Sequence, residues 1–280
     1  MLLFDLDGVI RDVSASYRRA IQATVHHYCG WMPDAPTIDS LKGEGCWNND
    51  WQASLELLRR YRLGHGGLHA EVGPQAWREL PTLEEVAEVF SGFYFGGDPS
   101  GPPSRWRGFI REEALLVDGD FFTGLSAAGL GWGFVSGAEP PSARFLLEER
   151  LGLSDPPLVA MGEAPDKPDP TGFLRLAGQL AALHGQTLGP QGPPVAYVGD
   201  TVADVETVQR ARRRRPDQCF LSLAVSPPHL HAPEQQARRQ AYEQRLVAAG
   251  ADHLLRTTAD LRADTPGLIA SLRARAGEPR

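Results

Sequence analysis

The stretch LLFDLDGVIRD (residues 2–12) places two aspartates, Asp5 and Asp7, directly after a short apolar run. Such runs are typical of strands buried on both faces of a parallel sheet. Because side chains alternate along a strand, Asp5 and Asp7 are expected to point the same way at its carboxyl end, where open α/β sheets bind ligands. Two carboxylates this close raise a pKa or require a cation. The stretch indicates a nucleophile beside a general acid, a metal site, or both; a strand followed by a polar turn is the alternative.

Apolar runs of the same kind recur along the chain and alternate with helical patterns. Strands are predicted at 2–5, 131–135, 157–161, 194–199 and 219–225, with a weaker one at 252–255. Helices are predicted between them, at 118–129, 140–151, 170–184 and 201–214. This alternation predicts an α/β fold built on a Rossmann-like, doubly wound parallel sheet.

One segment, 13–108, breaks this alternation. It shows helical patterns near 13–29, 49–62 and 82–95 and no convincing strand. We therefore expect a helical cap domain at 13–108, inserted into an α/β core domain formed by residues 1–12 and 109–280. Stretches rich in proline and glycine at 96–104 and 185–194 are interpreted as connectors.

Composition limits the classes of function. The chain has 280 residues, 42% of them hydrophobic, and a formal net charge of -7, which argues against general attraction to nucleic acid or to an anionic membrane. The three cysteines form no CxxC spacing, so a reducing, cytoplasmic location is expected. No apolar run reaches the roughly 18 residues that a membrane-spanning helix needs.

Polar groups follow three further predicted strands. Ser136 and Gly137 offer a hydroxyl and backbone amides that can hold phosphate oxygens. Lys167 lies between two prolines and could bring an ammonium to a phosphate or to a carboxylate pair. Asp200 and Asp204 form a second carboxylate pair, spaced four residues apart. Each signal also has a structural explanation: a common turn, a solvated lysine, and a capped helix whose acid favours the dipole.

Together these signals resemble the motifs of the haloacid dehalogenase-like (HAD) hydrolase superfamily. Each motif lies at the end of a separate predicted strand, in the order Asp5-Leu6-Asp7-Gly8, Ser136, Lys167 and the pair Asp200/Asp204. The inserted helical segment resembles the cap of the phosphoglycolate phosphatase and β-phosphoglucomutase branch. The resemblance covers nearly the whole chain.

The resemblance implies a covalent mechanism of phosphoryl transfer. Asp5 would attack phosphorus and form an aspartyl-phosphate. Asp7 would protonate the leaving alcohol and then deprotonate the incoming water. Ser136, Gly137 and Lys167 would bind the phosphate, and Lys167 would also offset the crowded carboxylates.

It also implies a Mg²⁺ cofactor. The ion would be held by Asp5, by the backbone carbonyl of Asp7 and by Asp200. Asp204 would complete this metal site by holding its ligands in place.

Substrate choice is expected to reside in the cap. The stretch LKGEGCWNNDW (41–51) is interpreted as a loop whose Lys42 and Asn49 could contact the substrate, and Arg11 could meet an anionic group. The alternative for this loop is a structural role, with Asn49 capping the next helix.

The implied protein is a phosphatase acting on a small phosphorylated metabolite, such as a sugar phosphate or a phosphoglycolate-like ester. A phosphomutase of the β-phosphoglucomutase type is the alternative, although Arg11 stands where that group usually has threonine. A non-catalytic binding protein is a third reading. No nucleic acid or membrane partner is expected, and monomer and homodimer both remain open.

Overall fold

The computed structural model describes residues 1–44, 47, 49–64, 79–261, 265 and 267–271. Contacts divide the chain into two compact units. The first consists of Met1–Asp12 with Ala114–Arg280, and the second of Val13–Glu113. No helix within the described ranges has the length and apolar character needed to cross a bilayer.

The elements alternate as in an α/β protein. The strands are β1 (Leu2–Phe4), β2 (Arg11–Asp12), β3 (Ala114–Leu115), β4 (Trp132–Val135), β5 (Leu158–Val159), β6 (Val195–Gly199), β7 (Phe220–Val225) and β8 (His253–Leu255). The helices are α1 (Ser16–Cys29), α2 (Ala35–Gly43), α3 (Asp50–Gly64), α4 (Leu83–Phe95), α5 (Gly119–Ala127), α6 (Pro140–Arg144), α7 (Thr171–Leu183), α8 (Val202–Arg214) and α9 (Gln236–Ala248).

The main sheet of the first unit is parallel. Its order among the described strands is β5-β4-β1-β6-β7-β8, so β1 lies between β4 and β6. The strands correspond to the six runs predicted from the sequence, and the α/β fold class is confirmed. Because β1, β4 and β6 are adjacent and parallel, the residues that follow them emerge at one edge of the sheet.

Alternation along β1 fills a core on each face of the sheet. Leu2 and Phe4 point to one face and pack with Phe122 of α5, whereas Leu3 points to the other and packs with Phe173 of α7. All five side chains are completely buried, and each such burial stabilises the fold by about 1.5–3 kcal/mol. The strand that carries the predicted nucleophile is therefore held rigidly on both sides.

The second unit is helical in its described part, and α1 packs against α3 and α4. The sequence interpretation missed α2, whose first turn is capped because the Asp34 carboxylate accepts a hydrogen bond from the Thr37 amide at 2.9 Å. The prediction that 41–51 is one loop is wrong at both ends, since α2 continues through Gly43 and α3 begins at Asp50.

The second unit ends at Glu113, five residues beyond the predicted cap. The 3-10 turn Phe109–Glu112 packs on α1 and α4, and the Arg19 guanidinium lies 4.0 Å from the centre of the Phe109 ring. The short antiparallel pair β2–β3 was also not predicted, because two-residue strands carry no periodic signal.

Candidate active site

Asp5 lies at the carboxyl end of β1 and is 5% exposed. Its amide donates to the Val198 carbonyl of β6 at 2.9 Å, which fixes its backbone to the neighbouring strand. Its Oδ2 lies 2.9 Å from Lys167 Nζ, whereas its Oδ1 is buried without a hydrogen-bond partner among the described residues. Burial raises the pKa of Asp5 to about 6; Lys167 opposes this shift, and Asp204 and Asp7 add to it.

A cluster of three buried carboxylates surrounds this position. Asp5, Asp200 and Asp204 each offer an oxygen within 4.8 Å of the others. Burial, together with the charges of Asp204 and Asp5, raises the pKa of Asp200 well above its ordinary value. Three anions this close cost free energy unless cations compensate them.

Gly8 makes the close approach of Asp200 to the first loop possible. Its φ is +75°, a conformation that side chains rarely adopt, and a Cβ there would lie 2.1 Å from Asp200 Oδ2. Gly199 has the same role for the next carboxylate, since its Cβ would lie 2.2 Å from Asp204 Cβ. These glycines leave room for the carboxylates at the sheet edge.

Asp204 is occupied by protein hydrogen bonds. Its Oδ1 accepts from Lys167 Nζ at 2.6 Å and lies 3.2 Å from the Tyr197 hydroxyl. Its Oδ2 accepts from the Thr201 amide at 2.9 Å and the Thr201 hydroxyl at 2.6 Å, completing a capping box at the start of α8. Both oxygens are therefore engaged, which suits a supporting role rather than a direct metal ligand.

Lys167 compensates the cluster. Its Nζ lies between Asp5 and Asp204, and its side chain is 16% exposed. Although burial acts to lower it, the pKa of the ammonium is raised well above its ordinary value by Asp204 and Asp5. The lysine is therefore charged at neutral pH. It can offset one of the three carboxylates when all are ionised, and a divalent cation could offset the other two.

Asp7 is the most accessible of the predicted catalytic carboxylates, with a side chain 25% exposed, and it lies outside the cluster of three. Arg11 Nε donates to its Oδ1 at 2.7 Å, and the Arg11 side chain is completely buried. The structure thus gives Arg11 a carboxylate partner four residues earlier in the chain, whereas the sequence suggested an anionic group of the substrate.

Ser136 and Gly137 follow β4 at the same sheet edge as Asp5. The Ser136 amide donates to the Val159 carbonyl at 2.9 Å, and its hydroxyl oxygen accepts from the Ala138 amide at 3.2 Å. Gly137 is exposed, and a Cβ there would meet no described atom within 4 Å. This turn leaves space in which an anion could approach backbone amides.

Lys42 and Asn49 belong to the second unit and have partners within it. Lys42 forms an ion pair with Asp50. Asn49 Oδ1 accepts from the Trp51 and Gln52 amides at 3.0 Å each, as a helix cap does. These contacts match the structural alternative, and substrate binding by either residue stays a prediction.

Two tyrosines near the cluster were not identified from the sequence. The Tyr197 hydroxyl donates to the Val135 carbonyl at 2.7 Å, which links β6 to β4 beneath the cluster. The Tyr242 hydroxyl donates to the Asp200 carbonyl at 2.9 Å. A polar ring inside the apolar run 194–199 was the available signal for Tyr197; Tyr242 had none, because it lies in a polar helix.

The chain belongs to the haloacid dehalogenase-like hydrolases. The model of this hydrolase family matches residues 1–212. The matched range includes Asp5, Lys167 and Asp200, which meet at the sheet edge described above.

Solved structures with the same fold include a phosphatase and a phosphomutase. The Thermococcus thioreducens phosphatase Tt82 has a TM-score of 0.59 and 22% identity, covering 79% of this chain and 91% of that one. A phosphonoacetaldehyde hydrolase-like protein from Oleispira antarctica has a TM-score of 0.64 and 20% identity, covering 100% of this chain and 95% of that one. A β-phosphoglucomutase from Clostridium difficile has a TM-score of 0.54 and 17% identity, covering 99% of this chain and 98% of that one.

A relative of known name is the imidazoleglycerol-phosphate dehydratase of Phytophthora nicotianae. It is 31% identical over 212 residues, which is 75% of this chain. The chain spans only 41% of the length of that protein.

Proposed function

We propose that this hydrolase is a Mg²⁺-dependent phosphatase that cleaves a small phosphate monoester through an aspartyl-phosphate on Asp5. The observation that carries the proposal is the state of Asp5: its Oδ1 is buried and unpartnered among the described residues, while its Oδ2 contacts Lys167. A buried carboxylate oxygen without a partner is costly unless a ligand completes it.

The donor set fits a hard divalent cation. Asp5 and Asp200 supply carboxylate oxygens, and the main-chain carbonyl of Asp7 would add a third protein oxygen. Asp204, whose oxygens accept hydrogen bonds from Lys167 and Thr201, would support these ligands without binding the ion. Oxygen ligands with no nitrogen or sulfur favour Mg²⁺ over Zn²⁺. When bound, Mg²⁺ would neutralise charge on the phosphoryl oxygens.

The residues of the chain would then perform two displacements. In the first, a carboxylate oxygen of Asp5 bonds to phosphorus as the phosphorus–alcohol bond breaks, and Asp7 gives its proton to the leaving alcohol. In the second, Asp7 takes a proton from water, whose oxygen bonds to phosphorus and releases Asp5 as a carboxylate. Lys167, Ser136 and the amide of Gly137 would hold the transferring phosphoryl group throughout.

The proposal includes the nature of the substrate. A small phosphorylated metabolite suits a chain with a formal net charge of -7, which offers no general attraction to nucleic acid or to an anionic membrane. Cytoplasmic location and a monomeric or homodimeric state are part of the same proposal.

The name of the Phytophthora relative suggests one substrate class. A dehydratase removes water and leaves the phosphate ester of its product intact. We infer that a phosphatase related to part of that protein acts on a phosphate ester of the kind in its name, a glycerol-type phosphate that carries an imidazole ring. The 31% identity over 212 residues supports this choice as the first to test.

The test is a panel of phosphate esters incubated with purified protein. The panel contains imidazole-bearing phosphates, glycerol phosphate, phosphoglycolate and hexose phosphates, with Mg²⁺ or with chelator. We expect Mg²⁺-dependent release of free phosphate, at the highest kcat/KM for an imidazole-bearing ester. Isomerised product without net phosphate release would favour the mutase, and full activity in chelator would overturn the metal assignment.

A further inference from the structure

The segment 226–248 contributes a contact to the carboxylate cluster that the proposed mechanism does not use. Helix α9 carries Tyr242, whose hydroxyl donates to the main-chain carbonyl of Asp200 at 2.9 Å. The two residues are 42 positions apart in sequence, so the contact exists only because α9 folds back on the end of β6. The sequence indicated no function for this segment.

Helix α9 is anchored on its apolar side. Leu246 is completely buried, and it packs with Val205 of α8 and Ala224 of β7. Tyr242 packs against the same small cluster. Its ring is therefore held by apolar contacts that would remain if only its hydroxyl were removed.

Helix α9 is also held by a polar contact to Ser226, which directly follows β7. Ser226 is 1% exposed and its hydroxyl donates to Glu243 Oε1 at 3.2 Å. Arg239 Nε donates to the same oxygen at 2.7 Å, and His231 Nε2 lies 2.9 Å from the Ser226 carbonyl. The bond from Ser226 to Glu243 therefore joins α9 to the end of β7, the strand that pairs with β6.

A hydrogen bond to the Asp200 carbonyl restrains the peptide that follows it. The carboxylate of Asp200 has little freedom on its other side, because Gly8 leaves space for it only in the absence of a Cβ. We propose that Tyr242 is a positioning residue that orients Asp200 as a cation ligand, which makes α9 a structural part of the metal site. The inference rests on the proposed function, since it requires a cation at Asp5 and Asp200.

The substitution that tests it is Tyr242→Phe, which removes the hydroxyl and keeps the ring. Mn²⁺ binding in the absence of substrate is measured by electron paramagnetic resonance, and Mg²⁺ binding by titration calorimetry. We expect the Kd for either ion to rise about tenfold, as for other groups that orient metal ligands. The melting temperature in chelator should change little, and kcat at saturating Mg²⁺ should stay within about twofold of wild type.

Two further variants make the test specific. Gln240→Ala alters an exposed residue of the same helix and should leave cation affinity unchanged. Ser226→Ala loosens the anchor of α9 without touching Tyr242 and should raise the cation Kd by a smaller factor. If Tyr242→Phe fails to fold, the cation Kd of Ser226→Ala tests the positioning role instead.

The binding measurements distinguish the proposed metal site from the proposed positioning role of Tyr242. Wild-type protein that binds neither ion would overturn the proposed metal site itself. Wild-type protein that binds both, together with a folded Tyr242→Phe variant whose Kd stays within twofold, would overturn the positioning role alone. An unchanged Kd in Ser226→Ala would do the same if the phenylalanine variant were unfolded.

Discussion

Replacing Gly8 by alanine tests the geometry of the carboxylate cluster through a single methyl group. A Cβ at this position would lie 2.1 Å from Asp200 Oδ2 and 2.6 Å from its Cγ, whereas ordinary van der Waals contact begins at 3.4 Å. The carboxylate must therefore withdraw by more than 1 Å, or the loop must move by as much. Either change separates the two oxygen donors, Asp5 and Asp200, that are proposed to share the cation.

Two effects of the substitution can be separated by magnitude. The positive φ of Gly8 costs an alanine about 1–2 kcal/mol of folding free energy wherever it occurs. A displacement of about 1 Å in a reacting group can lower the rate roughly a hundredfold. Gly8→Ala should therefore combine a modest loss of stability with a large loss of cation affinity and of kcat/KM.

The matched control is Gly129→Ala. Gly129 has a φ of +73° and no described atom within 4 Å of its Cβ position, so its substitution introduces backbone strain without a clash. Urea unfolding should show a similar loss of stability in both variants, plus the cost of the clash in Gly8→Ala. Phosphate release should fall only in Gly8→Ala. Near-wild-type activity and Mg²⁺ affinity in a folded Gly8→Ala variant would refute the proposed site.

Further predictions concern the carboxylates and the second unit. Burial raises the pKa of Asp5 to about 6 from 3.8. In protein freed of cations by chelator, ionised Asp5 therefore lowers the free energy of unfolding above pH 6, and this loss disappears as the pH falls toward 4. Asp5→Asn should thus gain at most about 3 kcal/mol over wild type at pH 8 and almost nothing near pH 4 in urea unfolding; a constant difference would contradict this. Asp7→Asn should slow hydrolysis of alkyl phosphates about 10²–10⁴-fold, yet still allow a burst of p-nitrophenol from p-nitrophenyl phosphate, whose leaving group needs no proton. Lys42→Ala should lower kcat/KM about ten- to a hundredfold for the natural substrate while sparing p-nitrophenyl phosphate, and equal effects on both would assign Lys42 to its ion pair with Asp50. Asn49→Ala should also lower the melting temperature, because its cap contributes about 0.5–2 kcal/mol.

The sequence by itself indicated the parallel sheet and the residues that meet at its edge. A strand buried on both faces must be apolar along its length, so the run at 194–199 was visible without any knowledge of its neighbours. Once the strands were placed, the positions of Asp5, Ser136, Lys167 and Asp200 followed, because parallel strands direct their carboxyl ends to one edge.

Local sequence patterns did not predict elements that are short or that are stabilised by contacts with distant parts of the chain. Helix α2 starts at a proline-containing turn and has only nine residues, so its pattern resembled a loop. The pair β2–β3 joins residues 11–12 to 114–115, and nothing near either segment predicts the other. The 3-10 turn at 109–112 belongs to the second unit because of what it packs against rather than because of its own composition.

Only the tertiary structure gives a physical basis for the different roles that the family resemblance implied for Asp200 and Asp204. Asp200 and Asp204 were a matched pair in the sequence, but the fold gives both oxygens of Asp204 protein donors and leaves Asp5 Oδ1 without one among the described residues. The bond from Tyr242 to the Asp200 carbonyl was likewise invisible, since it spans 42 residues. Hydrogen bonds form within about 3 Å, and a chain reveals that distance only after its apolar faces have packed and brought remote segments together.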